Sequence, residues 1–535
     1  MAPRTETSRR RRVRFKTLWM GSALALLCSS ATALTLRVAN LGDALSMDPH
    51  SSSEGLQMSL LSNIYETLVT RDKQMALAPA LATAWEQVTP TVWRFQLRKG
   101  VRFHDGSPFT AEDAVFSFER ANDPGADLRN TAIKQVRKVA EAAIEIETHE
   151  PRPILPDEVT VVFIVSKRWC EENKALKPAD LRRGIENSSR FRTNGTGPFR
   201  LKERQPAFRT VLARNTNYWD LLESNLDEVV FTPLPHDASR IAALLSGAID
   251  LMEPVPLQQI DRIKAAGGFT VLQGPELRTI FLGMDQKRDE LLFSNVKGRN
   301  PFKDRRVRQA VYQAIDVETI RSQVMRNAAV PAGLMVAPGI RGFQPDMNAR
   351  LPHDPAAARR LLAEAGYPKG FEVGMQCPND RYVNDAAICQ AVAAQLARVG
   401  IDVSLRTETK SIFQPRLLRR DLSFYLWGFA PGAMDAQIVM EATMATPDGS
   451  FRGRTNGGGY SNPRIDELTR RIAAEVDSKQ RNEMIREAFR IHQEDVGHIP
   501  LHQQALAWAF SDRVAEVVQL PSNYMRFKWI SLKSP

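Results

Sequence analysis

Residue types and spacings that could support catalysis occur in this sequence only as fragments. Gly195-Thr196-Gly197 lacks the third glycine of a dinucleotide-binding fingerprint, and Asn456-Gly457-Gly458-Gly459 is not followed by the Lys-Ser/Thr of a phosphate-binding loop. No serine occupies a G-x-S-x-G nucleophile elbow. The glycine-rich stretches therefore indicate structural turns, and no cofactor is expected.

Potential metal ligands are densest near the carboxyl end, where the chain carries His492, Glu494, Asp495, His498 and His502. His498 and His502 would share a helical face, but Pro500 interrupts a helix between them. The HExxH spacing of a zinc site is absent as well. We expect a solvated helix end leading into a strand here, and no metal site. Carboxylates are plentiful, but no spacing singles out a glycosidase pair.

Two cysteines of the mature chain are close enough in sequence to pair. An oxidising compartment would permit Cys377 to bond Cys389 across a short loop, whereas Cys170 is expected to be a buried small hydrophobe. No pair has the CxxC spacing of a zinc or redox site.

The amino terminus has the features of a cleaved export signal. Basic residues from Arg9 to Lys16 precede an apolar run over residues 18–27, and Ala31-Thr32-Ala33 is a small-residue cleavage site, so residues 1–33 are predicted to be a signal peptide. Either the general or the twin-arginine export route is open. Without this leader's seven basic and one acidic residues, the net charge of +11 falls to +5. That charge gives no indication of a nucleic-acid partner.

Local patterns predict the first structural elements. Alternation over residues 34–39 predicts a strand. Alternation over residues 93–98, a Lys99-Gly100 turn and renewed alternation at residues 101–103 predict a β-hairpin. Thr110, followed three residues later by Asp113, predicts a capping box and hence a helix over residues 111–121.

Strands and helices then alternate, which is typical of an α/β fold. Asp304 and Asp354 are predicted N-caps. At 535 residues the chain exceeds the size of one ordinary core, so two or more lobes are expected. Strands are predicted near residues 199–202, 210–213, 229–231, 249–252, 401–405, 424–427 and 505–510, and helices over residues 238–245, 305–315, 355–365, 386–398, 463–474 and 479–494.

Five segments, in order, resemble the family 5 extracellular solute-binding proteins, the peptide, dipeptide and nickel receptors of ABC importers. They are WRFQLRKGVRFHDGSPFTAEDAVFSFERA from Trp93, NGTGPFRLKE from Asn194, RNTNYWD from Arg214, RIAALLSGAIDLM from Arg240 and NPFKDRRVRQAVYQAID from Asn300. The resemblance covers nearly the whole mature chain. It implies an α/β, two-lobed clamp of the type II periplasmic-binding-protein kind, with an extra subdomain inserted in lobe I.

The resemblance also implies the domain boundaries. Lobe I would comprise residues 34–275, with the inserted subdomain at about residues 55–191, and lobe II would comprise residues 276–499. Residues 500–535 would return to lobe I. The two strands that cross between the lobes would be residues 278–285 and 501–510.

Ligand contacts follow from the same resemblance. Trp427, Tyr425 and Asp435 would lie on the strand and loop that face the ligand, with Arg381 nearby and Arg278 at the hinge. For a peptide, Asp435 would hold the amino end and Arg381 the carboxylate. Peptide binders of the family often place an acidic residue three positions after the tryptophan, where this chain has Ala430.

The sequence therefore predicts a periplasmic receptor, without catalysis, that delivers a di- or oligopeptide to an ABC transporter permease and acts as a monomer. A receptor for a nickel chelate, an opine or an oligosaccharide is the alternative within the same class. An exported hydrolase is the alternative of another class, although no complete catalytic group supports it. A sensory or chaperone role would use the same clamp.

Overall fold

The computed structural model describes residues 33–127, 130–181 and 183–534. The predicted signal peptide, residues 1–33, lies outside the described residues except for Ala33. Throughout the described segments, no helix is both long enough and apolar enough to cross a membrane.

The strands are β1 (Thr35–Asn40), β2 (Val69–Arg71), β3 (Leu77–Pro79), β4 (Ala82–Thr89), β5 (Val92–Leu97), β6 (Ile133–Ala140), β7 (Ala143–Thr148), β8 (Phe199–Gln205), β9 (Arg209–Arg214), β10 (Glu228–Pro233), β11 (Leu251–Glu253), β12 (Phe269–Met284), β13 (Val330–Pro331), β14 (Phe371–Pro378), β15 (Ile401–Glu408), β16 (Phe424–Phe429), β17 (Ile499–Ser511), β18 (Val514–Glu516) and β19 (Ser531–Leu532).

The α-helices are α1 (Gly55–Leu61), α2 (Ala111–Ala121), α3 (Leu155–Glu158), α4 (Lys167–Glu172), α5 (Asp237–Leu245), α6 (Ile260–Ala265), α7 (Arg305–Ala314), α8 (Val317–Thr319), α9 (Pro355–Glu364), α10 (Asp385–Ala397), α11 (Lys410–Arg419), α12 (Ala436–Val439), α13 (Pro463–Ala474) and α14 (Ser478–Asp495). Two π-helical turns, Ile320–Val324 and Met440–Met444, continue α8 and α12.

A mixed sheet of 11 strands is the central element of the fold. Its order is β15-β14-β16-β12-β17-β11-β1-β10-β9-β8, and β13 pairs with β17 beside this path. Strands β12 and β17 run antiparallel to each other in the middle, with a register from Phe269–Ser511 to Leu282–Ile499. They join a carboxy-terminal group of strands (β14, β15 and β16) to an amino-terminal group (β1, β8 to β11).

Three large hydrophobic clusters fill the molecule. One packs β14 to β16 against α7, α9, α10, α13 and α14, and it also extends to α5 and α6. We call the region of β14 to β16 and the helices packed on them the carboxy-terminal part. A second packs β1 and β8 to β11 with the end of the chain, from Trp508 to Leu532, and we call this the amino-terminal part. The third runs from Leu68 to Ile164 around a separate antiparallel sheet, β4-β5-β7-β6, which we call the small-sheet part.

The helix caps predicted from local signals are confirmed. Helix α2 has the predicted bounds and a capping box, in which Asp113 accepts from the Thr110 N–H at 2.9 Å. Asp304 and Asp354 cap α7 and α9 as predicted. The two predicted crossing strands coincide with parts of β12 and β17, except that Asp285 lies just beyond β12. The pairing that the sequence left open, Cys377 with Cys389, forms a disulfide.

The predicted hairpin over residues 93–103 is wrong. Strand β5 pairs with β4 and β7, and Val101 and Phe103 lie in a loop. Their side chains are only 1% and 3% exposed because the loop folds over the hydrophobic cluster of the small-sheet part. The alternation there reflects burial and not strand pairing.

Candidate ligand-binding site

The loop that connects β14 to α10 carries Arg381, which is a predicted ligand contact, and its neighbour Tyr382. The disulfide between Cys377 and Cys389 closes this segment covalently. Asp385 fixes its backbone, because one carboxylate oxygen accepts the N–H groups of Arg381 and Tyr382, both at 3.0 Å. Burial raises the pKa of Asp385 to about 6. The loop is thus held in one conformation beside the crossing strands.

Tyr382 is the centre of the candidate site. Its ring centroid lies 5.8 Å from the Arg278 guanidinium, 5.6 Å from the Arg381 guanidinium and 5.9 Å from the Trp427 ring. Its hydroxyl donates to the Gly428 carbonyl at 3.1 Å and accepts from the Gly428 N–H at 2.9 Å. One buried tyrosine therefore brings together three of the five predicted ligand contacts. We call Arg278, Arg381, Tyr382 and Trp427 the Tyr382 cluster.

Trp427, on β16, forms the apolar wall of this cluster. Its ring stacks on Phe413 of α11, with ring centroids 6.0 Å apart and planes 21° apart. The side chain is 6% exposed, and its indole N–H has no hydrogen-bond partner in the described chain. A flat ring of this kind offers dispersion contact to ligand side chains or backbone.

Arg278 occupies the hinge end of the site, on β12. Its guanidinium donates to Glu276 on the same strand, at 3.0 Å. Gln504, on β17, donates to the other oxygen of Glu276 at 2.6 Å and accepts from the Val383 N–H at 3.2 Å. The two crossing strands and the loop that carries Tyr382 are therefore connected by one hydrogen-bonded chain.

Glu54 brings the amino-terminal part into the same site. It caps α1 through the Leu56 N–H at 2.9 Å, and it pairs with Arg381 at 3.2 Å and with Lys410 at 3.5 Å. Burial acts to raise the pKa of Glu54, but Lys410 and Arg381 outweigh it, and the pKa falls. Burial lowers the pKa of Lys410. Oppositely charged groups from both sides of the crossing strands thus meet at the Tyr382 cluster.

A second group of contacts joins the small-sheet part to the carboxy-terminal part. Asp157 accepts from Arg71 at 2.7 Å and from Arg341 at 2.9 Å. Arg454 pairs with Asp127 at 3.2 Å. Ile154, Ala433 and Ile438 form a small apolar cluster of their own. We call these contacts the rim, and together with the Glu54 pairs they connect all three parts of the molecule.

The other two predicted contacts, Tyr425 and Asp435, have different surroundings. Tyr425 is fully buried, and its hydroxyl accepts the Gly458 N–H at 2.9 Å. Asp435 is also fully buried, and its two oxygens accept from Arg481 at 2.6 and 3.0 Å. Both side chains therefore hold the wall behind Trp427 together, and their direct contact with a ligand stays a prediction.

The expected helix end leading into a strand is present, since α14 ends at Asp495 and β17 begins at Ile499, but the expectation that its histidines are solvated is wrong. His492 and His498 are 3% and 2% exposed, and their rings share a hydrogen bond of 3.0 Å. Burial lowers the pKa of His492 to about 4. No three His, Cys, Asp or Glu side chains in the described ranges are grouped as metal ligands would be.

A cavity of about 510 Å³ opens elsewhere in the carboxy-terminal part, lined by Lys287, Arg308, Tyr460 and Asp495 among others. None of the five predicted contacts belongs to its lining. Sequence reasoning also missed Tyr382, Glu54 and Lys410 as site residues. A signal for Tyr382 existed, since Arg381-Tyr382 stands inside the short segment that two cysteines enclose.

Two crossing strands join the two groups of strands in the sheet, and charged and aromatic residues gather beside them. This is the architecture of a clamp that binds a solute. The chain matches the family model described as bacterial extracellular solute-binding proteins, family 5, over residues 76–451. It belongs to this family. The match covers well over half of the chain and includes all four residues of the Tyr382 cluster.

Individual proteins resemble this chain over nearly its full length. Heme-binding protein A of Haemophilus influenzae is 25% identical over 521 residues, which are 91% of this chain and 90% of that protein. The glutathione-binding protein GsiB of Shigella boydii is 25% identical over 528 residues, 95% of this chain and 97% of that protein.

A solved structure shows the same fold. The ABC transporter-associated periplasmic binding protein DppA of Helicobacter pylori, in complex with the peptide STSA, superposes with a TM-score of 0.78 at 23% identity. The superposition covers 94% of this chain and 99% of that one. The predicted α/β, two-lobed periplasmic-binding-protein fold is thus confirmed.

Proposed function

We propose that this protein captures a di- or oligopeptide between its two lobes and delivers it to the membrane permease of an ABC importer. The observation that carries the proposal is the Tyr382 cluster, where an aromatic wall and two arginines stand beside the strands that join the lobes. Its relative GsiB binds glutathione, which is itself a tripeptide. A peptide offers the carboxylate and apolar surface that such a site holds.

We propose Arg278, Arg381 and Trp427 as direct ligand contacts. Tyr425 and Asp435 act behind them, by keeping β16 and the following loop in position. The lobes are residues 34–275 together with 500–535, and residues 276–499, with the inserted subdomain at about 55–191. The hydrophobic cluster of the small-sheet part supports the inserted subdomain, since it spans residues 68–164, inside the proposed insertion.

The protein acts as a receptor and catalyses no reaction. Its family consists of solute-binding proteins. Residues 1–33 serve as a cleaved export signal, so that the mature, monomeric receptor works in the periplasm. An oxidising compartment of that kind suits the bond between Cys377 and Cys389. Closure on the ligand removes water from the charged groups and strengthens their contacts.

Native mass spectrometry of the mature protein, purified from its own periplasm, tests the proposed ligand class. We expect a bound species that denaturation releases and that fragments as a peptide. Adding the released compound to ligand-free protein at 100 times its Kd should raise the free energy of unfolding by about 2.7 kcal/mol. A released metal chelate, opine or sugar would contradict the peptide proposal, as would turnover of the added compound.

A further inference from the structure

Two buried hydrogen-bond donors of the Tyr382 cluster lack an acceptor. The indole N–H of Trp427 and the Nε–H of Arg381 have no partner among the residues that the structure describes. A buried donor left without an acceptor destabilises the folded state. Both side chains border the same Tyr382 ring. The unsatisfied groups of this cluster are therefore donors, and they suit a ligand group that accepts hydrogen bonds.

The carboxylates nearest to this cluster are already engaged. Glu276 accepts from Arg278 at 3.0 Å and from Gln504 at 2.6 Å, and it is only 4% exposed. Glu54 has Arg381 at 3.2 Å and two backbone N–H groups of α1. Neither carboxylate is free to take a ligand's ammonium group without giving up an existing cation or donor.

Of the carboxylates on the two loops beside the cluster, Asp380 accepts the Lys410 N–H at 2.6 Å, and two more are fully engaged. Asp385 accepts the backbone N–H groups of Arg381 and Tyr382 in the loop and of Ala386 in the first turn of α10. Asp435 forms a two-bond ion pair with Arg481 and is fully buried. Three positions after Trp427 the chain has Ala430, which cannot bind a cation.

We propose that this site selects its ligand by a carboxylate and does not require a free amino group. The carboxylate is held by the donors of Arg381 and Trp427. The ligand class then includes peptides whose amino end is blocked and amino acids that carry an N-acyl group, alongside ordinary peptides. This inference rests on the proposed function, because that function places the ligand between the lobes at the Tyr382 cluster.

Three matched mixtures of di- to pentapeptides test the proposal: free peptides, N-acetylated peptides and peptides amidated at the carboxyl end. A fourth sample contains N-acyl amino acids. Retention by the ligand-free protein is measured by native mass spectrometry, and calorimetry on single retained compounds gives Kd. We expect acetylation to change Kd less than threefold and amidation to raise it roughly tenfold or more, the worth of one hydrogen bond to a charged group.

The outcomes separate the two proposals. If no peptide is retained but an N-acyl amino acid is, the peptide function fails and carboxylate selection stands. If acetylation abolishes binding, if amidated peptides bind as tightly as free ones, or if no carboxylate in the four samples is retained, carboxylate selection is overturned.

A conservative substitution tests the role of the indole N–H. Trp427→Phe keeps an aromatic ring against Phe413 and removes the donor. We expect roughly tenfold weaker binding of the carboxylate ligand and no change for its amide. Trp85→Phe, on β4, is the matched control and should alter neither. An equal loss for acid and amide in Trp427→Phe would show that the ring alone matters, and it would overturn the assigned contact.

Discussion

At the scale of single residues, Tyr382 shows how a side chain with no catalytic or ionic role can define a site. It contributes a ring that three proposed ligand contacts share, and its hydroxyl is fully used by the backbone of Gly428. Sequence patterns single out charges and tryptophans readily. Periodicity does not mark an aromatic residue in a loop, and the sequence signal for Tyr382 was its position between Cys377 and Cys389.

Substitution of Asp435 distinguishes a ligand contact from a structural role, because the two roles predict different effects on stability and binding. Asp435→Asn leaves the Arg481 guanidinium buried without its counter-ion. We expect a loss of roughly 3–5 kcal/mol in the free energy of unfolding, because breaking one partner of a buried ion pair has about this cost. Urea unfolding of the ligand-free protein measures it.

Two further variants make the Asp435 experiment decisive. Asp435→Asn combined with Arg481→Met should recover much of the stability, because no buried charge is then left unpaired. Glu494→Gln breaks the exposed pair with Arg490 and should cost less than about 1 kcal/mol. A stable Asp435→Asn protein that no longer binds ligand would instead assign Asp435 a direct role at the ligand.

At the scale of elements, the disulfide loop between β14 and α10 joins stability to binding. Replacing Cys377 and Cys389 by serine frees a segment of this length in the unfolded chain, which predicts a loss of about 3 kcal/mol. Because Arg381 and Tyr382 stand inside the loop, we also expect weaker ligand binding. Urea unfolding and calorimetry, with and without reductant, check both effects.

Cys170→Ser is the matched control for the disulfide variant. Cys170 is the free, buried cysteine of the described chain. The difference in the free energy of unfolding between Cys170→Ser and the native protein should therefore be the same with and without reductant. If reduction of the native protein alters neither stability nor ligand affinity, the loop does not depend on its disulfide for either property.

Elements with local signals could be predicted from the sequence, and elements that depend on distant partners could not. The caps at Thr110, Asp304 and Asp354 determined helix starts because a cap needs only the next few residues. The hairpin prediction at residues 93–103 failed because β5 pairs with the strand just before it, residues 82–89, and with the distant strand at residues 143–148. In the candidate site, Trp427, Arg381 and Arg278 came from the family resemblance.

The convergence of these residues on Tyr382 could not be predicted, because four separate segments of the chain supply the cluster and Glu54. The same limit explains Asp435, whose partner Arg481 is 46 residues away on another helix. Pair formation over such separations depends on the folded lobes and leaves no local pattern.

At the scale of the whole molecule, the rim contacts should shift the balance between closed and open clamp. Arg341→Gln removes the bond to Asp157, which keeps its bond to Arg71. The Arg341 side chain is 52% exposed, so the loss should be no more than about 1 kcal/mol, or roughly a two- to fivefold rise in Kd.

Small-angle scattering of the ligand-free Arg341→Gln protein should show a larger radius of gyration than the native protein, while urea unfolding stays nearly unchanged. Arg486→Gln, which breaks an exposed pair with Asp346 within the carboxy-terminal part, is the control. An unchanged radius with an unchanged Kd would show that the rim pair does not contribute to closure.

Buried histidines should make the fold sensitive to acid, and His502 offers the sharpest test. It lies on β17 at the crossing, is 1% exposed, and neither ring nitrogen has a partner among the described residues. Burial first, and then the charge of Arg350, lowers its pKa to about 3, whereas an unfolded histidine titrates near 6.5. The unfolded state therefore binds more protons between these values, and the stability present above about pH 6.5 is lost as the pH falls toward 3.

His502→Leu removes this proton uptake and the unpartnered nitrogens together. Between pH 6 and pH 4, the free energy of unfolding should fall less steeply in the variant than in the native protein. The two slopes should differ by about 1 kcal/mol per pH unit. Urea unfolding at several pH values measures the two slopes, and His149→Leu, at an exposed position, serves as the control. His502→Gln, which also cannot titrate, should give the same slope if the leucine variant folds poorly. Parallel stability curves for native and variant proteins would show that His502 is charged in the folded state, in spite of its burial at the crossing of β12 and β17.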